Sequence, residues 1–264
     1  MLFLIVPVAA GFSVALVARR PNRTVSAALL AILGSLACLI AFGREGVLCS
    51  LLALPIIVVG LGLGVGIGLL IRKIFVDRAS HQATTMGFLL LIGPILIFAG
   101  ARIERPTLEH PRTDVISNTV EVSDSPEHVW TNIQSIDSVQ GSKPFLMSVG
   151  LPIPERCTMR GQGVGARRTC YFNTGYIEET VTAWNPPYSL GLSIDRTHMP
   201  GRHWLDFQRA EYRLELHGQS IALTRTTTVT SNLRPAWYWR GFEWLGVQSE
   251  HRYILRDVVL RAAH

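Results

Sequence analysis

Four long apolar runs at the start of the chain constrain its fold more than any other feature of the sequence. The runs cover residues 1–18, 25–43, 46–71 and 84–101, and short charged segments separate them. Each approaches or exceeds the roughly 18–20 apolar residues with which a helix crosses the hydrocarbon core of a bilayer. The sequence therefore predicts a region of four transmembrane helices over residues 1–101. The first run ends in Arg19 and Arg20 rather than at a small-residue cleavage site, so we interpret it as a retained helix.

The charged residues of this region indicate its orientation. Seven of the 25 basic residues of the chain, but only two of its 19 acidic residues, precede residue 102. Three arginines make the first connection positive, the third connection is also positive, and Arg44 and Glu45 cancel in the second. The positive-inside rule therefore predicts that the first and third connections are cytoplasmic and that both termini are not. The remainder of the chain is close to neutral, which argues against a nucleic-acid partner.

The third run contains the glycine-rich stretch GLGLGVGIG at residues 60–68. A dinucleotide-binding loop needs a strand, a tight turn and a solvated helix start, and none of these fits inside an apolar run. Glycines spaced four residues apart are typical of membrane helices that approach each other closely. We therefore expect this stretch to pack against another helix.

The second part of the chain has the pattern of one α+β domain. Residues 102–112 are charged and contain prolines, so we interpret them as a linker, and 113–264 are long enough for a single domain. Period-two alternation predicts an initial strand, a short helix capped by Ser123 or Ser125, a series of antiparallel strands, and a long terminal helix from about residue 235. The expected fold is a curved antiparallel sheet that holds the final helix in its concavity. Such a helix-grip arrangement leaves space for an apolar small molecule.

Several segments of this domain resemble one superfamily in their order and spacing. They are VEVSDSPEHVW, GQGVGARRTCYFNTGYIEETVTAWNPPYSL, TRTTTVTSNLRPAWYW and EHRYIL, within roughly residues 113–260. The chain is similar here to the SRPBCC superfamily, which includes the START-like, Bet v 1-like, and polyketide cyclase/dehydrase and lipid-transport proteins. It is most similar to bacterial members with helices ahead of the domain. The resemblance implies a helix-grip fold and a hydrophobic cavity, but not one chemistry.

Three functions follow as alternatives. The first is a binding protein for a hydrophobic small molecule or lipid, anchored by several spans in a bacterial cytoplasmic membrane, with its C-terminal domain outside the cytoplasm. The second is an enzyme of the polyketide cyclase/dehydrase type that uses an acid or base in the cavity. The third is a structural or signalling membrane protein. No cofactor is expected for any of them.

Two polar residues on neighbouring strands are candidates for the site. By alternation Glu179 shares the inward face of its strand with Ile177 and Val181, and Arg168 is its expected partner. A buried carboxylate is costly unless it is paired. The two side chains form either a polar anchor for the ligand, with Glu179 as a possible acid or base, or a structural ion pair.

The remaining candidates lie in the aromatic residues and on the terminal helix. His251 is a weaker catalytic candidate, which either faces the cavity or bonds a buried backbone group. Seven aromatic residues are candidates to line the cavity, and we expect about half of them to contact the ligand and the others to belong to the core. They are Trp130, Phe145, Phe172, Trp184, Tyr212, Trp237 and Tyr238. His198 and His203 flank a loop but are too few for a metal site, so no metal is expected.

The stretch RGQGVGARRTC at residues 160–170 has the glycines of a phosphate loop but the context of a β-hairpin. The residues after it are strand-like, whereas a phosphate loop opens a helix. Gly161, Gly163 and Gly165 are therefore expected to adopt positive φ in the turn. Cys157 and Cys170 flank that turn almost symmetrically, so paired strands would bring them opposite each other. We predict that they form a disulfide, which requires an oxidising compartment.

Overall fold

The structure is a computed structural model of the chain, and it describes residues 2–17, 21–42, 46–76, 87–139, 141–199, 204–218 and 220–262. The described residues form two compact units, Met1–His110 and Pro111–His264. The charged residues of the three predicted membrane connections fall largely outside the described residues, except for Arg23, Arg72 and Lys73. Each unit is considered by itself.

Helices make up the N-terminal unit. They are α1 (Leu2–Val17), α2 (Pro21–Ala41), α3 (Val47–Ile71), which continues into a π-helical turn at Arg72–Val76, and α4 (Ile92–Glu109). Two apolar helices are long enough to cross a membrane, Val47–Phe75 and Gly87–Pro106, whereas the apolar parts of the first two, Leu4–Val17 and Ala28–Cys38, are shorter. Among the described residues the predicted four spans are therefore corrected to two. Polar residues at the start of α2 are one reason that its apolar stretch is shorter than its run in the sequence.

Close packing between α1 and α3 explains the glycines of the third run. A Cβ atom added at Gly64 would lie 2.1 Å from the backbone oxygen of Val8, and one at Gly68 would lie 2.7 Å from the Cβ of Ala15. At Gly62, by contrast, an added Cβ would meet no described atom of another helix within 4 Å. The four-residue spacing of the glycines thus marks the face of α3 that contacts α1, as the sequence indicated.

A single antiparallel sheet and a long helix form the C-terminal unit. The strands and helices alternate as follows: β1 (Arg112–Val122), α5 (Pro126–Gln134), α6 (Phe145–Ser148), β2 (Pro154–Arg160), β3 (Arg167–Phe172), β4 (Gly175–Asn185), β5 (Ser189–His198), β6 (Leu205–His217), β7 (Ser220–Ser231) and α7 (Ala236–Ala262). The strand order is β1-β7-β6-β5-β4-β3-β2, and α7 lies against β1, β7 and α5. This is a helix-grip arrangement of the α+β class.

The residues predicted to form a linker are mostly helical. Helix α4 continues to Glu109, and β1 begins at Arg112. The exposed ion pair between Arg105 and Glu109 is four residues apart, a spacing that supports a helix, and Pro106 lies inside it. The charge and proline content of 102–112 was therefore a poor guide to its backbone.

The short helix α5 begins where the sequence placed a cap. The Ser125 Oγ accepts a hydrogen bond of 3.2 Å from the backbone N–H of His128, and Pro126 occupies the first helical position. A proline is tolerated there because its missing N–H would have no partner within the helix. Ser125, rather than Ser123, is therefore the cap.

Alternation along β7 separates the two faces of the sheet. The residues of β7 turned to the interior are Ile221, Leu223, Arg225, Thr227, Val229 and Ser231, and all six are buried. From α7, Tyr253, Ile254, Leu255 and Val258 are buried as well. Three charged or polar residues of β7 thus lie among apolar ones on the inner face.

Candidate functional site

Polar and charged side chains are buried on the inner face of the sheet and on the helix that covers it. We call six of them the interior polar cluster: Arg168, Glu179, Arg225, Thr227, Glu250 and His251. Glu250 is half-buried and the other five are buried. Charged groups rarely lose water without partners, so the contacts of each decide its role.

Arg168 and Glu179 form a buried ion pair, and Arg168 also bonds to the protein backbone. Arg168 lies directly opposite Glu179 in the register of β3 and β4. Its Nη1 donates to the Glu179 Oε2 at 2.8 Å, and its Nε and Nη2 donate to the backbone oxygens of Gln134 and Ile133 at 3.1 and 3.3 Å. Those carbonyls belong to the last turn of α5, which has no intrahelical donors for them. Arg168 therefore ties α5 to the sheet, and this geometry favours the structural alternative for the pair.

Arg225 is a charged residue of the interior that is only partly satisfied within the described part of the chain. It lies on β7 opposite Tyr212 of β6 and Asn118 of β1. Its Nη2 donates to the Glu250 Oε1 at 2.9 Å. Its Nε and Nη1 are buried and have no hydrogen-bond partner within the described part of the chain. A buried donor without a partner costs about 1–3 kcal/mol, and native proteins seldom leave one without a reason.

The charge of Arg225 is retained in this position. Burial lowers the pKa of its guanidinium, but the carboxylates of Glu250 and Glu179 and the Tyr212 hydroxyl together outweigh burial and leave the pKa above its usual value. The guanidinium carbon also lies 5.4 Å from the centre of the Tyr212 ring. The interior therefore contains a permanent cation with two nitrogens, Nε and Nη1, that have no partner among the described residues.

His251 is held as a neutral imidazole. It is fully buried on α7, its Nδ1 lies 3.0 Å from the Asn118 Oδ1, and its Nε2 lies 2.7 Å from the Thr227 Oγ1. Because the amide oxygen can only accept, Nδ1 carries the proton and Nε2 accepts from the threonine hydroxyl. Burial, and then the charge of Arg225, lower the pKa of His251 to about 2. A group so weakly basic, with both nitrogens engaged, is poorly suited to acid–base catalysis.

The buried imidazole makes stability dependent on pH. The folded pKa lies below the unfolded value, so the stabilising contribution is complete above pH 6.5 and is lost as pH falls from 6.5 toward 2. We expect the free energy of unfolding to decrease with falling pH by up to ~1.4 kcal/mol per pH unit more in the wild type than in a His251→Gln variant. Unfolding in urea, measured at pH 7, 6, 5 and 4 on both proteins, checks this. Parallel pH profiles would contradict it, since the carboxylates common to both proteins cancel in the difference.

The aromatic candidates divide between the interior and the surface. Trp130 and Tyr212 are buried in the main core, Trp184 packs against that core with its ring 5.1 Å from the Trp130 ring, and Phe172 packs against Cys157 and Cys170. Tyr238 is half-buried at the start of α7.

Phe145 and Trp237 do not occupy interior positions. Their exposed fractions are 78 % and 80 %, which contradicts a place for them in a ligand cavity. Phe145 begins the four-residue helix α6, and Trp237 lies on the outer face of α7. The buried tryptophan of that helical turn is Trp239, which is 3 % exposed and donates its Nε1–H to the backbone oxygen of Arg234.

The sequence analysis also missed a second group of buried charges, near the start of α7. Glu243 accepts a hydrogen bond of 2.6 Å from the Ser231 Oγ and pairs with Arg112. Burial raises the pKa of Glu243, against the opposing effects of Ser231 and Arg112. These contacts join the helix to one end of the β1–β7 pair, where Arg112 lies opposite Ser231.

The hairpin of β2 and β3 has the predicted turn. Gly161, Gly163 and Gly165 have φ of 87°, 82° and 89°, which confirms the positive φ expected of them. Cys157 pairs directly with Cys170, and their sulfur atoms are bonded. Glu179 Oε2 lies 3.7 Å from the Cys170 sulfur, so the disulfide borders the interior polar cluster.

The two histidines that flank the loop at residues 198–203 were too few to predict a metal site. The ring of His198 stacks on Tyr176 with ring centres 4.4 Å apart, and His203 lies outside the described residues. No three His, Cys, Asp or Glu side chains come together as metal ligands in the part of the chain that the structure describes.

Comparison with known proteins yields matches among solved structures. No protein-family model and no curated protein matches the chain. The structural matches include a START superfamily protein from Mycobacterium smegmatis, with 12 % identity, a TM-score of 0.42, and coverage of 56 % of this chain and 97 % of that one. They also include the Zhui aromatase/cyclase from Streptomyces sp. R1128, with 16 % identity, a TM-score of 0.40, and coverage of 58 % and 94 %. At these identities and TM-scores the matches are similarities of fold alone.

A third structural match is an enzyme. It is norcoclaurine synthase from Thalictrum flavum in complex with dopamine and hydroxybenzaldehyde, with 16 % identity, a TM-score of 0.37, and coverage of 58 % of this chain and 90 % of that one. At such identities the likeness concerns the fold. The activities named are those of the other proteins, and the function of this domain depends on its own residues.

Proposed function

We propose that this protein binds a hydrophobic small molecule or lipid between its antiparallel sheet and the terminal helix α7. The observation that carries the proposal is Arg225, a buried cation with two N–H groups that have no partner among the described residues. Its neighbours on the inner face of the sheet are Tyr212 and Leu223, and the exposed fraction of each is at most 1 %. Sites for small apolar molecules combine such apolar walls with a small number of placed polar groups.

Binding is favoured over catalysis by the contacts of the two acid–base candidates. Glu179 is paired with Arg168, and both nitrogens of His251 are engaged. Neither side chain therefore presents a free, exposed group for proton transfer to a substrate. A structural or signalling role leaves the unpartnered donors of Arg225 unexplained.

We propose further that the domain works at a membrane surface. Two helices of the N-terminal unit are long and apolar enough to cross a bilayer. The charge bias of the first and third connections favours a cytoplasmic location for them, and an oxidised Cys157–Cys170 pair favours an extracytoplasmic domain. Anchoring would confine the domain near a lipophilic ligand and raise its effective concentration.

An exposed face of α7 supports contact with lipid. Trp237, Trp244 and Leu245 are 80 %, 46 % and 47 % exposed, and their spacing places them on one side of the helix. Exposed tryptophan is unusual on a soluble surface but enriched at the membrane–water interface, where the indole ring meets lipid and water together. We assign this face to the bilayer interface.

Tryptophan fluorescence tests that assignment without interference from the helices of the N-terminal unit, because all six tryptophans follow residue 129. In full-length protein reconstituted into vesicles with brominated acyl chains, we expect part of the emission to be quenched relative to unbrominated vesicles. A Trp237→Phe/Trp244→Phe variant should lose most of that quenching, whereas Trp184→Phe should retain it. Equal quenching in the wild type and the double variant would show that this face of α7 does not contact the membrane.

Identification of co-purified material tests the binding function. The full-length protein is purified from membranes, denatured, and its extract analysed by mass spectrometry beside that of an unrelated membrane protein prepared identically. We expect one apolar compound in near-stoichiometric amount that the unrelated protein lacks. Bulk lipid of the same composition in both extracts would count against a dedicated ligand.

A further inference from the structure

The charges around Arg225 already balance one another. Arg168 and Arg225 are the two cations of the interior polar cluster, and Glu179 and Glu250 are its two anions. The remaining members, Thr227 and the neutral His251, add no net charge. An additional anion would therefore leave an uncompensated negative charge in the interior, which is strongly unfavourable.

The unused donors of Arg225 nevertheless require an acceptor. Its Nη2 is occupied by Glu250, while its Nε and Nη1 are free of partners within the described residues. The Asn118 Oδ1, on the strand opposite, is bonded to His251. An uncharged oxygen on a ligand satisfies an N–H group of Arg225 without disturbing the charge balance.

The surroundings of the guanidinium define the rest of such a ligand. The Tyr212 ring lies beside it, Leu190 is opposite Tyr212 on β5, and Leu223 precedes it on the inner face of β7. The exposed fraction of each of these three residues is at most 1 %. A polar group that enters this region must therefore be carried by an apolar skeleton.

We propose that the ligand is an uncharged apolar molecule with a carbonyl oxygen that accepts a hydrogen bond from Arg225. The proposal rests on the function proposed above, because it assigns the polar recognition within the same site. It excludes carboxylates and phosphate esters as the preferred class. It also assigns Arg225, rather than Glu179 or Arg168, as the residue that selects the ligand.

Two matched sets of probes test the proposal on the full-length protein. The linear set is 2-dodecanone, dodecane and dodecanoate, and the bicyclic set is 2-acetylnaphthalene, 2-isopropylnaphthalene and 2-naphthoate. Affinities are measured in detergent solution with correction for partitioning into micelles. In the set that fits the site, we expect the ketone to bind roughly tenfold more tightly than the hydrocarbon, the contribution of one hydrogen bond to a charged donor. The carboxylate should bind no more tightly than the ketone.

A paired variant separates recognition from folding. Arg225→Met with Glu250→Gln removes the cation and its carboxylate together, so no charge is left unpaired, and it should abolish the preference for the ketone. Arg213→Met with Glu211→Gln applies the same changes to an exposed ion pair of β6 and should leave the preference intact. The carbonyl carbon resonance of ¹³C-labelled ketone bound to the wild type gives a second readout, which should move downfield because of the hydrogen bond.

The results can contradict carbonyl recognition by Arg225 separately from the binding of an apolar ligand. Equal binding of ketone and hydrocarbon by the wild type, with an unshifted carbonyl resonance, would overturn carbonyl recognition while leaving an apolar binding site. Tightest binding of the carboxylate would overturn the choice of an uncharged ligand. Failure of all six probes to bind would overturn both this inference and the proposed function.

Discussion

Replacement of Arg168 by methionine is expected to lower the free energy of unfolding of the C-terminal unit by about 3–5 kcal/mol. The substitution leaves the Glu179 carboxylate 6 % exposed without its partner, and it removes the two donors that cap α5. Urea unfolding of the full-length protein in micelles, followed by tryptophan fluorescence, checks this. The signal reports on the C-terminal unit because all six tryptophans follow residue 129.

Two variants control this experiment. Arg167→Met makes the same substitution at the neighbouring, exposed position of β3 and should change stability by no more than about 0.5 kcal/mol. Arg168→Met combined with Glu179→Leu removes both charges and should recover part of the loss, because no buried charge then lacks a partner. A single variant as stable as the wild type would mean that the pair contributes nothing to the fold.

Removal of the disulfide is the second change with a large expected effect. Cys157 and Cys170 are 13 residues apart in sequence, and closing a loop of this size is typically worth about 2–4 kcal/mol through restriction of the unfolded chain. The Cys157→Ser/Cys170→Ser variant should lose that amount, measured by the same unfolding assay. The bond also packs against Ile136, Ile254 and Phe172, so its loss should loosen that side of the core.

Reductant supplies the control for the disulfide. Under reducing conditions the wild type should fall to the stability of the double variant, and the double variant itself should not respond. Non-reducing peptide mapping of protein isolated from membranes should find Cys157 and Cys170 in one linked pair. Two free thiols there would contradict both the bond and the extracytoplasmic location proposed for the domain.

The strands of the C-terminal unit were largely predictable from the sequence. The predicted series of antiparallel strands includes β3 (Arg167–Phe172) and β4 (Gly175–Asn185), where turn residues flank a clear period-two pattern. The pairing of Arg168 with Glu179 followed from the same alternation. Strand faces can be read from sequence wherever apolar and polar residues alternate cleanly.

Arg225 was not predicted, and the reason lies in its local sequence. It is part of TRTTTV, where threonines occupy both faces of β7, so no contrast marks which face is buried. Only the register with Leu223 and Ile221, two and four residues earlier, identifies its side as the inner one.

The buried side of the terminal helix was also difficult to predict from the sequence. Its buried side includes Glu243, Gln248, Ser249, His251 and Asp257, all polar, while Trp237 and Trp244 point outward. Polar residues therefore interrupt the apolar stripe that usually marks the core-facing side of a helix, most of all in the first half of α7. Sequence reasoning accordingly assigned Trp237 to the cavity.

A crystal structure of the full-length protein, purified from membranes without added ligand, tests the central claim most directly. The account predicts continuous non-protein density between α7 and the sheet, with one end within hydrogen-bonding distance of the Arg225 Nε or Nη1. Packed side chains at this position, or an isolated ordered water on both nitrogens, would contradict a ligand-binding site there.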